Sequence, residues 1–393
     1  MKRKLRMGMV GGGKDAFIGS IHRIAANMDG LVELVCGSLS INEEIAVDSG
    51  RSLFLPEDRI YTTYQEMIEK ESQLPEGERM DFVTIVTPNF AHYPPAIMAL
   101  DKGFHVVIEK PITVSLEEAQ SLKQKLDETG LMLCLTHTYT GFPMVKQAKD
   151  MVANGALGKI RKVYVDYKQG WLSRLSEREA GNAGAAWRTD PKKSGKSGVM
   201  GDIGTHAFNL AEYITGLQVT QLCADLNIVV EGRLLDDDGG VLLKFDNGAT
   251  GVLTASQIAA GEENNLSIRV YGELGGLEWH QQEPNTLIVK WLDKPMEVLR
   301  AGTPFVGNLA KQNQRTPGGH PEGYLEAFGN IYRNFVHTLS ARINNTTVDN
   351  SLIEFPSITE GIRGMAFIEN VVKSNESSEK WTLYSIVTTQ VQI

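Results

Sequence analysis

Apolar and polar positions follow two different rhythms along this chain. In the first third, short apolar runs alternate with stretches of helical spacing. Leu5 to Val10 is an apolar run ending in glycines, and Ile18 to Met28 carries apolar residues at helix intervals. Leu31 to Cys36 reads as a second strand, with a helix opening near Ile41. Phe82 to Val86, Phe104 to Ile108 and Leu131 to Leu135 complete the strands, and Tyr93 to Leu100 is a helix between two of them. Ser115 followed three residues later by Glu118 has the form of a capping box opening another helix. Strands alternating with helices of this length predict a parallel, doubly wound sheet.

The later pattern differs. Val219 to Val230, Gly240 to Phe245, Thr250 to Ile258, Leu266 to Tyr271 and Thr286 to Trp291 have strand length and no helices between them. Asp246-Asn247-Gly248 is a hairpin turn signal. Consecutive strands of this kind predict an antiparallel sheet. Helices are expected over Tyr324 to Leu339 and Ile358 to Val372. The reading is α/β plus α+β, with one domain over 1–138 and a second over 139–393. Val252, Leu253, Ile268 and Val270, in a sheet followed by few helices, predict a need for cover on both faces. That expectation makes the chain a homo-oligomer, a dimer or a tetramer.

Composition narrows the class. The 393 residues are 42% hydrophobic and 22% charged, as in ordinary globular proteins. A formal net charge of −9 argues against nucleic acid as a partner, which would call for a basic face. The three cysteines, Cys36, Cys134 and Cys223, lie far apart in apolar runs and read as buried thiols of a reducing compartment. Glycines interrupt the first apolar run before a signal-peptide core is complete, and no apolar stretch approaches a membrane span. The expected location is cytoplasmic, away from membranes.

Candidate chemistry begins at Gly11-Gly12-Gly13-Lys14-Asp15-Ala16, which fits G-x-G-x-x-A after the first strand. Glycine permits the tight turn and lets backbone N–H groups reach a pyrophosphate at a helix N-terminus. Gly11, Gly13, Ala16, Phe17 and Ile18 are therefore candidate cofactor contacts. Gly19-Ser20-Ile21-His22 reads as the helix start, which makes the loop longer than the compact fingerprint. The acidic residue expected ~20 residues on, for the ribose 2′-hydroxyl, is missing. The second strand runs instead into Gly37-Ser38-Leu39-Ser40, with Ser38 as candidate contact and no arginine for a 2′-phosphate. The cofactor is NAD(P), leaning to NAD. Thr87-Pro88-Asn89 with His92 stands beside the same sheet edge, as a loop-former or a cofactor contact. Glu109-Lys110-Pro111 follows the fourth strand, and proline biases Lys110 towards extended backbone. Ligands of open α/β sheets bind beyond the carboxyl ends of the strands, so Lys110 should face the cofactor.

The glycine loop, Thr87-Pro88-Asn89 with His92, and Glu109-Lys110-Pro111 resemble in order and spacing the Gfo/Idh/MocA oxidoreductases, the family of glucose–fructose oxidoreductase and inositol dehydrogenase. Leu157-Gly158-Lys159-Ile160 looks like the family's entry into its second domain, and Gly201-Asp202-Ile203-Gly204-Thr205-His206 like its catalytic helix. The resemblance implies a Rossmann domain followed by an α+β domain with a large open sheet. It also implies hydride transfer between a nicotinamide and a hydroxyl of a sugar, anhydrosugar or cyclitol. Asp202 and His206 lie four apart, hence on one helix face, although aspartate there is equally a helix cap. In the catalytic reading His206 is the base, Lys110 holds the substrate oxygen, and Asp202 orients either of them. Trp187, Arg188 and Asp190 read as a substrate loop or an Asp-Pro turn. Tyr139 and His137 read as ligand contacts or junction packing, and His320 as a further substrate contact. Trp187-Arg188 with the Gly318–Tyr324 loop resembles the levoglucosan dehydrogenase branch. No metal site is expected, because the Asp202/His206 pair has no second close pair. The other readings are a cofactor-binding regulator on the same fold and an enzyme that uses its nicotinamide transiently to cleave glycosides.

Overall fold

The computed structural model describes residues 3–14, 16–179, 182–349 and 353–387. Among these, β1 (Leu5–Gly11), β2 (Val32–Ser38), β3 (Phe82–Val86), β4 (His105–Ile108) and β5 (Leu133–Leu135) form a parallel sheet in the order β2-β1-β3-β4-β5. Every residue of β3 is buried, as expected of a parallel strand covered on both faces. The helices are α1 (Phe17–Asn27), α2 (Glu43–Ser52), α3 (Tyr64–Gln73), α4 (Tyr93–Asp101), α5 (Leu116–Thr129), α6 (Pro143–Ala153), α7 (Ala183–Arg188), α8 (Pro191–Ser194), α9 (Thr205–Thr215), α10 (Asn308–Gln312), α11 (Tyr324–Ile343) and α12 (Ile358–Glu376). The strand order reverses between β2 and β3 around β1, which creates the crevice where such sheets take ligands.

Helix α1 begins at Phe17, with Ala16 as its cap residue, so Gly19 is inside the helix and not at its start. The loop is therefore compact, contrary to the longer one expected. Close packing explains the early start. A Cβ on Gly19 would lie 2.3 Å from the Cα of Gly12, so the first helical turn rests directly on the glycine loop. Asp15 of the same loop lies outside the described residues.

The chain divides into two compact units, and the division is not a single cut after Thr138. Unit one comprises Met1–Thr113, Glu117–Thr138 and Tyr324–Gly361; unit two comprises Val114–Leu116, Tyr139–Gly323 and Ile362–Ile393. The segment from Tyr324 joins the first unit because of what α11 buries. Its stripe of Phe328, Ile331, Tyr332, Phe335, Val336 and Leu339 shares one core with Leu5, Met7, Met9 and Phe82 of the sheet and with Ala25 and Ala26 of α1. The buried face of α1 is Gly19, His22, Ala25 and Ala26, mostly small residues that let α11 approach closely. Amphipathic spacing reveals a helix, but not which surface it covers.

In the second unit β6 (Lys162–Lys168), β7 (Val219–Asn227), β8 (Asp238–Phe245), β9 (Thr250–Ser256), β10 (Asn265–Tyr271), β11 (Gly275–His280), β12 (Thr286–Trp291), β13 (Glu297–Arg300) and β14 (Thr382–Leu383) form one sheet. Its order among the described residues is β13-β12-β11-β10-β6-β9-β8-β7-β14. Strand β6, absent from the sequence reading, is central and pairs parallel to β9; the other pairings are antiparallel. Val163, Val165, Leu253, Ile268, Val270, Leu277, Trp279, Leu287 and Val289 are fully buried on one face, on which α6 and α9 pack. Leu253, Ile268 and Val270 thus already have cover inside the unit and do not call for a partner. The opposite face is mixed: Tyr164, Val252 and Ile288 stand beside the pairs Arg269–Asp166 at 3.4 Å and Lys290–Glu278 at 2.5 Å.

All three cysteines are free thiols, with Cys36 and Cys134 buried and Cys223 partly exposed. Among the described residues no helix is long and apolar enough to cross a membrane. The ring of Phe335 lies 5.3 Å from Phe82 and 5.5 Å from Phe355, edge-on to both. Phe335→Ala should therefore cost about 3–5 kcal/mol, the range for a buried phenylalanine, as measured by urea unfolding.

Candidate active site

The carboxyl ends of β1 to β4 bring the first group of candidates to one edge of the sheet. Gly11 and Gly12 have φ of +80° and +73°, a region that glycine enters without strain. Gly13 donates its N–H to Leu39 O at 2.9 Å, and Lys14 N–H reaches Ser49 Oγ at 3.1 Å. These bonds fasten the glycine loop to the segment after β2. A Cβ on Gly13 would meet that Leu39 oxygen at 2.8 Å, so glycine is required by packing too. Ala16 gives α1 no side-chain cap, which leaves the first-turn N–H groups of Phe17 and Ile18 available to an anion. Phe17 is 75% exposed, whereas Ile18 packs on the core. Ser38, the last residue of β2, is buried. This cradle fits a dinucleotide's pyrophosphate.

Thr87, Pro88 and Asn89 follow β3, with Asn89 buried in a short turn and Thr87 Oγ1 bonded to Ala91 O at 2.9 Å. His92 faces backbone carbonyls at both nitrogens: Nδ1 lies 2.8 Å from Pro111 O and Nε2 2.8 Å from Thr87 O. Burial holds its pKa below the usual value. The neutral ring donates its one N–H to one of these carbonyls and packs against the other, between the Thr87 turn and the turn after β4.

After β4, the Lys110–Pro111 peptide is cis. Glu109 accepts from His22 Nε2 at 2.8 Å and from Thr136 Oγ1 at 2.5 Å, and Lys110 N–H approaches its second oxygen at 3.3 Å. Burial opposes ionisation of Glu109, yet these bonds and the nearby lysine charge keep its pKa below the ordinary carboxylate value. His137, buried close to the same lysine, is pushed down to about 3 by burial first and by the Lys110 charge second.

The second unit assembles a different group. Met200–Gly204 is a π-helical turn running directly into α9, so Asp202 is not the N-cap of a regular helix. Wide turns of this kind concentrate at functional sites. Asp202 accepts from Gln257 Nε2 at 2.8 Å and pairs with Arg188 Nε at 3.2 Å. Arg188 lies over the Trp187 ring at 4.2 Å and nearer the edge of reach over Trp171 at 5.8 Å. His206 sits on α9 with its ring 4.9 Å from that of Tyr139, edge-on, and 6.2 Å from that of Tyr167. Tyr139 bonds to Tyr167, Tyr167 donates to Asn264 Oδ1 at 2.7 Å, and Asn264 Nδ2 returns to Tyr139 at 3.1 Å. Burial raises the Tyr139 pKa, so it remains a neutral phenol beside the imidazole.

Asp202, His206, Tyr139, Trp187 and Arg188 are thus brought together within the second unit, while Lys110 belongs to the first. Asp190 caps α8 by accepting from Lys192 N–H at 3.0 Å, a turn role. His320 is exposed in the loop before α11, where its carbonyl accepts from Thr316 Oγ1 at 2.7 Å. Sequence reading missed His22, Tyr167, Gln257, Asn264 and Tyr332. Of these only His22 leaves a trace: it is a polar residue in the small-residue stripe of α1.

The chain matches the family model for NAD-binding Rossmann-fold oxidoreductases over residues 5–137 and the Gfo/Idh/MocA C-terminal domain over residues 145–278. An inositol dehydrogenase homolog from Azotobacter vinelandii, solved with NAD+, is 32% identical over 98% of each chain with a TM-score of 0.93. The same protein solved with NADH and myo-inositol superposes with a TM-score of 0.90. The uncharacterized oxidoreductase YfiI of Bacillus subtilis is 32% identical over 97% of both chains. Levoglucosan dehydrogenase of Pseudarthrobacter phenanthrenivorans is 24% identical over 73% of this chain and 76% of its own. With both domain models matched in order on a dinucleotide cradle, the chain belongs to the Gfo/Idh/MocA family of NAD-binding oxidoreductases.

Proposed function

We propose that this oxidoreductase is a dehydrogenase for a secondary hydroxyl of a neutral sugar, anhydrosugar or cyclitol. His206 carries the proposal: its imidazole stands among tyrosines on the helix that follows the Asp202 turn, in a chain that also holds a dinucleotide cradle. Bound NAD(P) supplies the hydride acceptor. His206 takes the hydroxyl proton as general base. Lys110 holds the substrate oxygen and offsets the negative charge that develops on it. Asp202, held by Gln257 and Arg188, orients the base. Trp187 and Trp171 offer flat faces for a sugar ring, and Tyr139 and His320 are further substrate contacts, whereas Asp190 shapes the turn before α8. Arg188 Nε is paired with Asp202 at 3.2 Å and Nη1 donates to Gly184 O at 3.0 Å, which breaks up the two-pronged fork that a phosphate takes. That favours the uncharged polyol. Gly37-Ser38-Leu39-Ser40 offers neither a carboxylate for the 2′-hydroxyl nor a cation for a 2′-phosphate, and its Leu39 oxygen is taken up by Gly13. NAD is the favoured form. The free thiols are consistent with work in a reducing cytoplasm.

A panel of sugars, cyclitols and their phosphates, followed at 340 nm with NAD and NADP, tests the reading. Net NADH should accumulate with a neutral polyol; a glycoside-cleaving relative would release none, and a regulator would form none. His206→Ala and Lys110→Ala should each lower kcat/KM by roughly 10²–10⁴, the scale of a positioned acid–base group, with dinucleotide affinity preserved. The Asp202→Asn and His206→Ala losses should combine to less than their product if the two act as a unit. Near-normal turnover in His206→Ala would remove it from the chemistry.

Gly19→Ala separates binding from chemistry. Its Cβ has no room against Gly12, so the glycine loop must shift and NADH should bind at least ~10-fold more weakly by calorimetry, for a strain of order 1–3 kcal/mol.

The face of the second unit's sheet that carries Tyr164, Val252 and Ile288, each partly exposed, with paired charges suits a second copy of the chain, as a homodimer or homotetramer. Sedimentation at micromolar concentration should show it; a stable monomer would overturn it.

A further inference from the structure

The first unit contains a continuous buried polar chain that ends at the Glu109-Lys110 turn. Thr84 on β3, Tyr332 on α11, His22 on α1 and Thr136 after β5 are all at most 1% exposed. Thr84 Oγ1 lies 3.3 Å from Tyr332 OH, Tyr332 OH 2.7 Å from His22 Nδ1, and His22 Nε2 2.8 Å from Glu109 Oε1. One assignment satisfies every member. An ionised Glu109 can only accept, so His22 Nε2 carries the proton and donates it. Nδ1 is then an acceptor, Tyr332 donates to it, and Thr84 donates to Tyr332. The His22 ring is further clamped edge-on by Phe328 at 4.7 Å. Burying four polar side chains and a carboxylate is costly unless all are bonded, and an apolar core would have been simpler. Glu109 is also the carboxylate whose free oxygen meets the Lys110 N–H.

We infer that His22 and Tyr332 are positioning residues for Lys110, acting through Glu109. His22 holds the carboxylate in one rotamer, and the carboxylate holds the turn that carries the lysine. Tyr332 holds His22, so α11 takes part in the site although it lies over two hundred residues downstream. The role given to Lys110 rests on the dehydrogenase reading; its positioning does not.

The test uses the full chain with NADH bound, as His22→Gln and Tyr332→Phe. The first readout is the rate at which Lys110 is acetylated by a small acyl donor, followed by mass spectrometry with exposed Lys70 as internal reference. Lys110 should react faster in both variants while Lys70 is unchanged. The second readout is turnover with the polyol found above. His22→Gln should lower kcat roughly 10–100-fold, the scale of losing a supporting partner, while NADH affinity is retained. Tyr332→Phe should lower it about fivefold, as one neutral hydrogen bond is worth about 1 kcal/mol. If His22→Gln does not fold, Tyr332→Phe alone decides by the same two readouts. Unchanged Lys110 acetylation with unchanged kcat overturns the inference, as do losses that merely follow melting temperature and NADH affinity. Altered acetylation in a protein that oxidises no polyol would leave the positioning standing and defeat the dehydrogenase reading instead.

Discussion

The largely buried carboxylate of Glu109 is the constraint around which the first unit is organised. An ionised carboxylate taken out of water costs several kcal/mol unless its oxygens are bonded. The structure meets that demand from three directions: His22 from the helix after the glycine loop, Thr136 from beyond β5, and the Lys110 backbone. His22 and Thr136 each tie a separate element to the end of β4, while the Lys110 N–H holds the turn itself. His92 stands between the Thr87 and Pro111 carbonyls, with 2.8 Å to each, and its neutral ring donates its one N–H to one of them. The cofactor edge is therefore a set of loops locked by buried polar side chains, and its precision comes from satisfied hydrogen bonds more than from apolar packing.

The second unit solves a related problem by other means. Asp202 shares its charge with Arg188 and Gln257, and the guanidinium spreads its own over Trp187. His206 is held by aromatic edges, and the tyrosine beside it is fixed by a closed set of bonds with Tyr167 and Asn264. The π-turn before α9 widens the helix where Asp202 projects. Gly201 and Gly204 in this turn are buried, and a Cβ on Gly204 would meet Met200 Sδ at 2.7 Å, so glycine there serves packing.

Much of this was legible in one dimension. The glycine loop, Thr87-Pro88-Asn89, Glu109-Lys110 and the Asp202/His206 spacing are local strings, because each serves one turn or one helix face. Strands buried on both faces, such as β3, announce themselves as unbroken apolar runs. Strand β6 alternates clearly at Val163, Val165 and Tyr167, yet it stands alone between helical and loop segments and was passed over. The start of α1 was misplaced because Gly19 looked like a loop residue. Its glycine is needed for contact with Gly12, a distance no propensity records.

The sequence by itself determined the fold class, the dinucleotide cradle and the residue types able to move a proton, since all depend on periodicity and short motifs. Tertiary structure alone decided that α11 completes the first unit's core. It also decided that Leu253, Ile268 and Val270 are covered from within, that His22 and Tyr332 bond in a buried chain to Glu109, and that Arg188 and Gln257 meet Asp202. The physical reason is the same throughout. An amphipathic stripe or a polar side chain states what it must bury or bond, but the partner lies far along the chain, and only the folded packing selects it.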